Sequence, residues 1–153
     1  MIELLPIWQT NEENLKFADK PICRNVIVAT MDYYKTIGFT SPWIGYLATL
    51  NGQLVGSAGY KGKPVDNKIE IAYGTFPEFQ HQGIGTQICR QLVQLAIMTD
   101  SQLKITARTL PDNLYSIAIL KKNGFELLGI VHDKDDGDVQ EWLHYKHSTQ
   151  RHL

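Results

Sequence analysis

Three apolar-rich stretches between residues 43 and 75 are separated by turn signals, as β-strands are, and in the third the apolar Ile69, Ile71 and Tyr73 alternate with Glu70, Ala72 and Gly74. The first two stretches are joined by Asn51-Gly52, a pair that tolerates the positive φ angles of a tight hairpin turn. A turn at residues 63–67 leads into the third stretch. The pattern predicts antiparallel strands at residues 43–50, 54–60 and 68–75.

Elsewhere the apolar positions recur every three or four residues, which is the spacing of an amphipathic helix. The clearest such helix is predicted from Gly85 to about Met98, because its apolar residues share one face; they are Ile84, Ile88, Leu92, Leu95 and Ala96. Helices are also predicted over residues 12–19, over residues 24–36 with an end at Gly38, and from residue 111 to 123. Asp112 is the expected N-cap of the last helix, and Gly124 follows its end.

Three further strands complete the predicted fold. One covers residues 103–108, and the other two, at residues 125–131 and 139–145, form a hairpin around Asp135-Asp136-Gly137. Strand runs with interposed helices indicate an α+β fold, with one mainly antiparallel sheet flanked by helices. A length of 153 residues favours a single domain over residues 1–153.

The charge, the apolar runs and the cysteine content of the chain argue against several classes of protein. The net charge is −1 and no dense Lys/Arg block occurs, which argues against a nucleic-acid-binding surface. No stretch reaches the roughly 18 apolar residues of a membrane helix, and the amino terminus lacks the basic and apolar segments of a secretory signal. Cys23 and Cys89 are far apart and have no metal-type spacing, so we expect two thiols in a reducing cytoplasm.

The most informative segment is the loop from Phe79 to Thr86, which lies between a predicted strand and a predicted helix. Gly83 and Gly85 leave the backbone N–H groups at the helix start unobstructed, and the helix dipole adds positive charge there. These features predict a site for a phosphate or pyrophosphate. The third glycine of a dinucleotide-binding loop and the lysine of a Walker A loop are both missing.

Three motifs together carry a family resemblance: Gln80-x-x-Gly83-x-Gly85, Asn113-x-x-Ser116 and Lys122-Asn123-Gly124-Phe125. As a set they resemble the GNAT family of acetyl-CoA-dependent N-acetyltransferases, most closely the branch of the ribosomal-protein N-terminal alanine acetyltransferases. The resemblance covers roughly residues 43–145, as the cofactor-binding core. It implies that the helical region 1–42 helps to shape the acceptor site, and that the strands near 68–75 and 102–108 splay apart.

The resemblance implies acetyl-CoA as cosubstrate. Pantetheine amides would pair with the strand edge left open by the splay, at Thr75 and Phe76, because Pro77 has no N–H to donate. The pyrophosphate would lie on the N–H groups of residues 82–86, and Asn113 would contact the CoA arm or cap its helix. The predicted cofactor loop consists of Gln80, His81, Gln82, Gly83, Ile84, Gly85 and Thr86, with His81 expected to be a solvated residue whose backbone matters.

Acetyl transfer to an amine needs a base for the amine and a proton for the leaving thiolate. Glu70 is the first candidate base, acting directly or through water, since strand alternation places it on one face with Ala72 and Gly74. Its alternative role is a solvent-facing or salt-bridged carboxylate. Ser116 is the candidate acid, with Tyr115 or water as alternatives, because Leu120 stands where many family members have Tyr. Direct attack needs no nucleophilic Cys, so Cys89 is expected to be a core residue.

The sequence therefore predicts an N-acetyltransferase that acts on a primary amine of a small molecule or peptide, as a monomer or homodimer. It predicts no nucleic-acid, membrane or metal partner. The aspartates at 133–138 fit a turn better than a calcium site. An alternative, favoured by Leu120, is a non-catalytic acyl-CoA-binding sensor that kept the cofactor slot. A purely structural α+β domain is a third interpretation.

Overall fold

The structure is a computed structural model that describes residues 1–14 and 20–145. Seven strands form one sheet in the order β1-β2-β3-β4-β5-β7-β6, and every neighbouring pair is antiparallel except β4 with β5. The predicted α+β class with a mainly antiparallel sheet is therefore confirmed. The strands are β1 Ile2–Pro6, β2 Gly45–Leu50, β3 Gln53–Tyr60, β4 Lys68–Thr75, β5 Lys104–Thr109, β6 Phe125–Asp133 and β7 Gly137–His144. The helices are α1 Pro21–Ile37, α2 Ile84–Thr99 and α3 Leu114–Lys122.

The amino-terminal region differs from its prediction. Residues 2–6, for which no element is predicted, form edge strand β1 and pair with β2 from Ile2 opposite Leu50 to Pro6 opposite Tyr46. Their side chains do not alternate between buried and exposed, so no strand period is visible in the sequence. The helix predicted over residues 12–19 lies mostly outside the described residues, and residues 11–14 form a turn.

Helix α3 begins one residue later than predicted. The Asn113 carboxamide oxygen accepts a hydrogen bond from the Ser116 N–H at 3.1 Å, so Asn113 is the N-cap, and the prediction of Asp112 is wrong. Both residue types cap helices well, and only the backbone position of the first helical turn distinguishes them.

The sheet has two differently covered faces. Ile69 and Ile71 pack with Ile88 and Leu92 of α2 in the main core. Gly45 faces α1 instead, since a Cβ there would lie 2.6 Å from the Thr30 methyl group. Gly45 lies opposite Gly59, and Gly59 opposite Ala72, so these residues share the α1 face. Alternation then places Glu70 on the α1 face as well.

Strands β4 and β5 separate partway along their length. Their parallel pairing runs from Lys68 opposite Lys104 to Ile71 opposite Ala107. Beyond that point β4 pairs only with β3, and β5 only with β7. The splay that the resemblance implies is thus present, and it opens at Ala72.

The close approach of β3 and β4 beside the splay gives a stability prediction. A Cβ at Gly56 would lie 2.3 Å from the Gly74 carbonyl oxygen, a backbone atom that cannot rotate away. We expect Gly56→Ala to destabilise the protein by about 1–3 kcal/mol and to lower its Tm, as overpacking does. Gly74→Ala is the matched control, because its nearest neighbour would be the Ser57 hydroxyl at 3.8 Å. Equal melting temperatures for the two variants would contradict the prediction.

Candidate active site

A cavity of about 170 Å³ lies where β4 and β5 part. The amino-terminal half of α3 forms one wall, and the predicted site residues Asn113 and Ser116 both lie on it. The complete lining is Lys61, Ile71, Ala72, Tyr73, Ala107, Arg108, Asn113, Ser116 and Leu120. The splay thus brings strand-edge backbone, hydroxyl groups and two cations to one place.

The open edge of β4 differs from the predicted one. The Phe76 N–H donates to the Val55 carbonyl at 2.9 Å, so it is not available as a strand-edge donor, and that assignment is wrong. Backbone groups alternate in direction along a strand, so those of Tyr73 and Thr75 point away from β3, towards the splay. The Thr75 carbonyl accepts from the Gln80 carboxamide at 3.2 Å. The Tyr73 N–H and C=O and the Thr75 N–H therefore form the edge.

The predicted anion loop connects β4 to α2. A short 3₁₀ turn at Pro77–Phe79 is followed by left-handed backbone at His81 and Gly83, with φ angles of 64° and 81°. Helix α2 then begins at Ile84, and the first N–H groups of a helix have no partner within it. A Cβ at Gly83 would meet no atom within 4 Å, so the space above the helix start is open to a ligand.

Gly85 has a packing role. A Cβ at this position would lie 2.6 Å from the Ile119 side chain and 2.9 Å from the Tyr115 hydroxyl, so the absent side chain lets α2 approach α3 closely. The Asn123 carboxamide also donates to the Thr86 carbonyl at 3.2 Å. These contacts fix the start of α2 against α3, next to the exposed residues His81, Gln82 and Gly83.

The candidate base lies in a network of charges on the α1 face. The Glu70 side chain is 20% exposed; one carboxylate oxygen contacts the Lys61 ammonium, and the other lies 3.8 Å from Arg108 Nε. Arg108 also pairs with Asp133 at 3.2 Å and with Glu141 at 3.5 Å. Burial opposes the charge of Arg108, but the carboxylates of Glu70, Asp133 and Glu141 raise its pKa above the usual value. The structure therefore shows a salt-bridged Glu70, and its role as a base stays a prediction.

Two hydroxyl groups face the splay. Tyr73 Oη and Ser116 Oγ are 3.3 Å apart, whereas the Tyr115 hydroxyl donates to Thr75 Oγ1 at 3.4 Å. Burial raises the pKa of Tyr73, so its phenol stays protonated. Burial also raises the pKa of Cys89 to about 12, which disfavours the thiolate that covalent catalysis would need.

A second cavity, of about 310 Å³, lies on the α1 face between α1 and strands β2–β4. It shares Lys61, Ala72 and Tyr73 with the cavity in the splay. The two spaces therefore meet at the point where β4 leaves β5, beside the Lys61–Glu70 contact.

Known proteins match this arrangement. The family model described as acetyltransferase (GNAT) domain matches residues 5–126. The chain belongs to the GNAT acetyltransferase family. A relative, the uncharacterized N-acetyltransferase YjdG of Bacillus subtilis (strain 168), is 33% identical over 141 residues, which cover 90% of this chain and 78% of the relative.

Solved GNAT structures share the fold. The aminoglycoside acetyltransferase AAC(6')-Ib in complex with coenzyme A has a TM-score of 0.71 at 20% identity, covering 99% of this chain and 98% of that chain. The ribosomal L7/L12 alpha-N-protein acetyltransferase RimL, also with coenzyme A, has a TM-score of 0.67 at 18% identity, covering 93% and 92%. At these identities the likeness establishes the common fold.

Three residues of this GNAT site were missed from the sequence. Tyr73 faces the α2 side of β4, and because its contact with Ser116 joins residues 43 positions apart, no local pattern marks its hydroxyl as part of the site. Lys61 and Arg108 had no recognisable signal, because their partners are distant in the sequence.

Within residues 1–14 and 20–145, no group of three or more His, Cys, Asp or Glu side chains is placed to hold a metal ion. The Asp133 carboxylate accepts from the Asp135 and Asp136 N–H groups at 2.9 and 3.2 Å, as a turn residue does. None of the helices in these ranges has the length and apolarity needed to cross a bilayer.

Proposed function

We propose that this GNAT domain transfers the acetyl group of acetyl-CoA to a primary amine by direct attack, with no acyl-enzyme intermediate. The observation that carries the proposal is the meeting of the two cavities at Ala72 and Tyr73, next to the Glu70 carboxylate. This arrangement lets a thioester in the splay and an amine on the α1 face approach each other through the gap between β4 and β5.

The donor side is assigned to acetyl-CoA. Its pantetheine amides would pair with Tyr73 and Thr75 at the open edge of β4, and its pyrophosphate would lie over residues 82–86 at the start of α2. Asn113 caps α3 with its oxygen, which leaves its amide N–H groups directed to a ligand or solvent. Coenzyme A in the similar structures of AAC(6')-Ib and RimL supports this assignment.

The chemistry then follows from the groups at the junction, the point where the two cavities meet beside Lys61, Ala72 and Tyr73. The acceptor ammonium gives a proton to Glu70, directly or through water, and the neutral amine attacks the thioester carbonyl. The Tyr73 N–H, which points into the splay, is suited to stabilise the developing oxyanion. The attached nitrogen loses its second proton to water, the C–S bond breaks, and the CoA thiolate takes a proton from the Ser116–Tyr73 hydroxyl pair, which water reprotonates, or directly from water. Glu70 returns its proton to solvent. The products are an amide and free CoA.

A non-catalytic acyl-CoA sensor is the second candidate. Leu120 is fully buried in the wall of the cavity in the splay and has no proton to give. The candidate base, Glu70, is already paired with the Lys61 ammonium. A sensor would bind acetyl-CoA and release no thiol with any amine.

Two measurements test the proposal. Thermal-shift titration should show stabilisation by acetyl-CoA, which amounts to about 2.7 kcal/mol at a ligand concentration of 100 Kd. Release of free CoA thiol is then followed with a panel of primary amines. Stabilisation without thiol release favours the sensor, and the absence of any stabilisation contradicts both candidates.

Both described cysteines are buried free thiols, which supports action in a reducing compartment such as the cytoplasm.

Removal of the Ser116 hydroxyl should have a moderate effect. We expect Ser116→Ala to lower kcat by about tenfold, because the CoA thiolate is a good leaving group and depends less on acid catalysis than the amine does on a base. Tyr73→Phe should cost a similar factor, and the double variant should be little worse than either, since the two hydroxyls are in contact. Steady-state kinetics with one amine substrate give kcat for each of these variants.

Tyr115→Phe is the matched control for these variants, because its hydroxyl contacts Thr75 rather than Ser116. It should keep nearly full activity. An inactive Tyr115→Phe beside a fully active Ser116→Ala would show that Tyr115 is the proton donor. Full activity in all variants would mean that water protonates the thiolate.

A further inference from the structure

The α1-face cavity has an unusual lining for a site that binds an amine. Tyr33 and Tyr34, two aliphatic side chains of α1 and small residues of β2–β4 form most of its wall. Among the described residues that line it, Lys61 alone is charged, and none is Asp or Glu. The Glu70 carboxylate lies at the junction with the splay, in contact with Lys61.

The strand tyrosines of this lining, Tyr46, Tyr60 and Tyr73, lie on the α2 face by strand alternation, so they border the cavity with their backbone, whereas Tyr34 of α1 borders it with ring surface. The hydroxyl of Tyr34 donates to the Ile7 carbonyl, that of Tyr46 to Pro42, and that of Tyr60 to Leu92, at 2.6–2.7 Å. The Tyr73 hydroxyl lies beside Ser116. Apart from Lys61, the other polar side chains of the lining, Thr30, Tyr33 and Ser57, are neutral, so among the described residues the cavity offers no carboxylate to a second ammonium, which would lose water without a charged partner.

These observations deepen the proposed amine acetylation and rest on it. We infer that the acceptor is a small primary amine with a single positive charge and an apolar or aromatic body, and that Lys61 discriminates against polycationic amines. The reacting nitrogen would reach Glu70 at the junction, while the apolar body would lie against α1. A volume of about 310 Å³ is at the low end for ligand cavities, which favours a compact acceptor.

The position of Lys61 explains how it would discriminate against polycationic amines. Its ammonium lies where the two cavities meet, and its side chain is 36% exposed. One ammonium can be neutralised there by Glu70. A second one held in the α1-face cavity would face the Lys61 charge with no carboxylate of its own, and such like-charge placement disfavours the wrong ligand.

The test compares hexylamine with hexamethylenediamine, which differ by one terminal amine, and adds phenethylamine and spermidine. Free-thiol release gives kcat/KM for each. We expect hexylamine to exceed hexamethylenediamine by at least about tenfold, and phenethylamine to exceed spermidine similarly. Lys61→Gln should narrow the hexylamine-to-diamine ratio at least about fivefold. The ratio of the two kcat/KM values is compared because Lys61→Gln also changes the surroundings of Glu70, and that change affects the turnover of both amines.

Lys63→Gln is the matched control, since it removes the same charge from a residue that lines neither cavity. It should leave the ratio unchanged. A ratio near one in the unaltered protein, or preferred turnover of the polycations, would overturn the inference and leave acetyl transfer standing. An unchanged ratio in Lys61→Gln would overturn the role of Lys61. Absence of thiol release with every amine would overturn acetyl transfer itself, and this inference with it.

Discussion

Glu70→Gln is expected to lower kcat/KM by about ten- to a thousand-fold, the range typical of a lost general base. The substitution keeps the size of the side chain and removes its ability to take a proton. Glu70 lies on the α1 face, whereas the predicted CoA contacts lie on the β4 edge and the loop, so acetyl-CoA affinity should hardly change. Steady-state kinetics and thermal-shift titration measure the two quantities.

Glu141→Gln provides the matched control. Glu141 pairs with the same Arg108 and has a similar exposure, 19% against 20% for Glu70, but it does not contact Lys61. Loss of activity in both variants would point to the charge balance around Arg108 instead of a base. Wild-type rates in Glu70→Gln, measured below the pKa of the acceptor amine, would exclude Glu70 as the base.

The second large effect is expected at Gly83. Gly83→Leu should weaken acetyl-CoA binding at least about tenfold, because the side chain would project into the open space above the start of α2, where the phosphates are expected. The left-handed backbone at this position adds a cost of about 1–2 kcal/mol to folding.

Gly52→Leu separates the two effects. Gly52 has nearly the same φ, 80° against 81° for Gly83, and a Cβ there also meets no atom within 4 Å. Both variants should lose similar stability, and Gly83→Leu alone should lose the stabilisation by acetyl-CoA. If Gly83→Leu responds to acetyl-CoA as the unaltered protein does, the pyrophosphate does not lie on this loop.

The elements predicted well are those specified by local chemistry. Asn51-Gly52 determines a hairpin by itself, and the two-residue alternation of residues 68–75 matches the full extent of β4. The glycines of the loop likewise mark the start of α2, which is predicted at Gly85 and begins at Ile84. In each case a short stretch of sequence carries its own backbone requirement.

The features that were missed depend on distant parts of the chain. β1 exists because β2 offers a partner some forty residues away, and its own five residues carry no strand period. The Phe76 assignment failed because strand parity, which directs its N–H to Val55, follows from the register of β3. The ion pairs of Glu70 join residues near three different strands. The sequence alone does not show which strands are neighbours, so a salt bridge could be predicted for Glu70 only as one of several roles.

Within residues 1–14 and 20–145, the two cavities share three lining residues, Lys61, Ala72 and Tyr73. Under the proposed function, donor recognition and acceptor recognition are therefore almost separable in the sequence: the donor would contact the β4–α2 loop and α3, and the acceptor would contact α1 and the small residues of β2 and β3. Substitutions along the inner side of α1 can retarget the protein to a new acceptor without disturbing its cosubstrate. For protein engineering, α1 is accordingly the segment to randomise, and the three shared residues are the ones to keep.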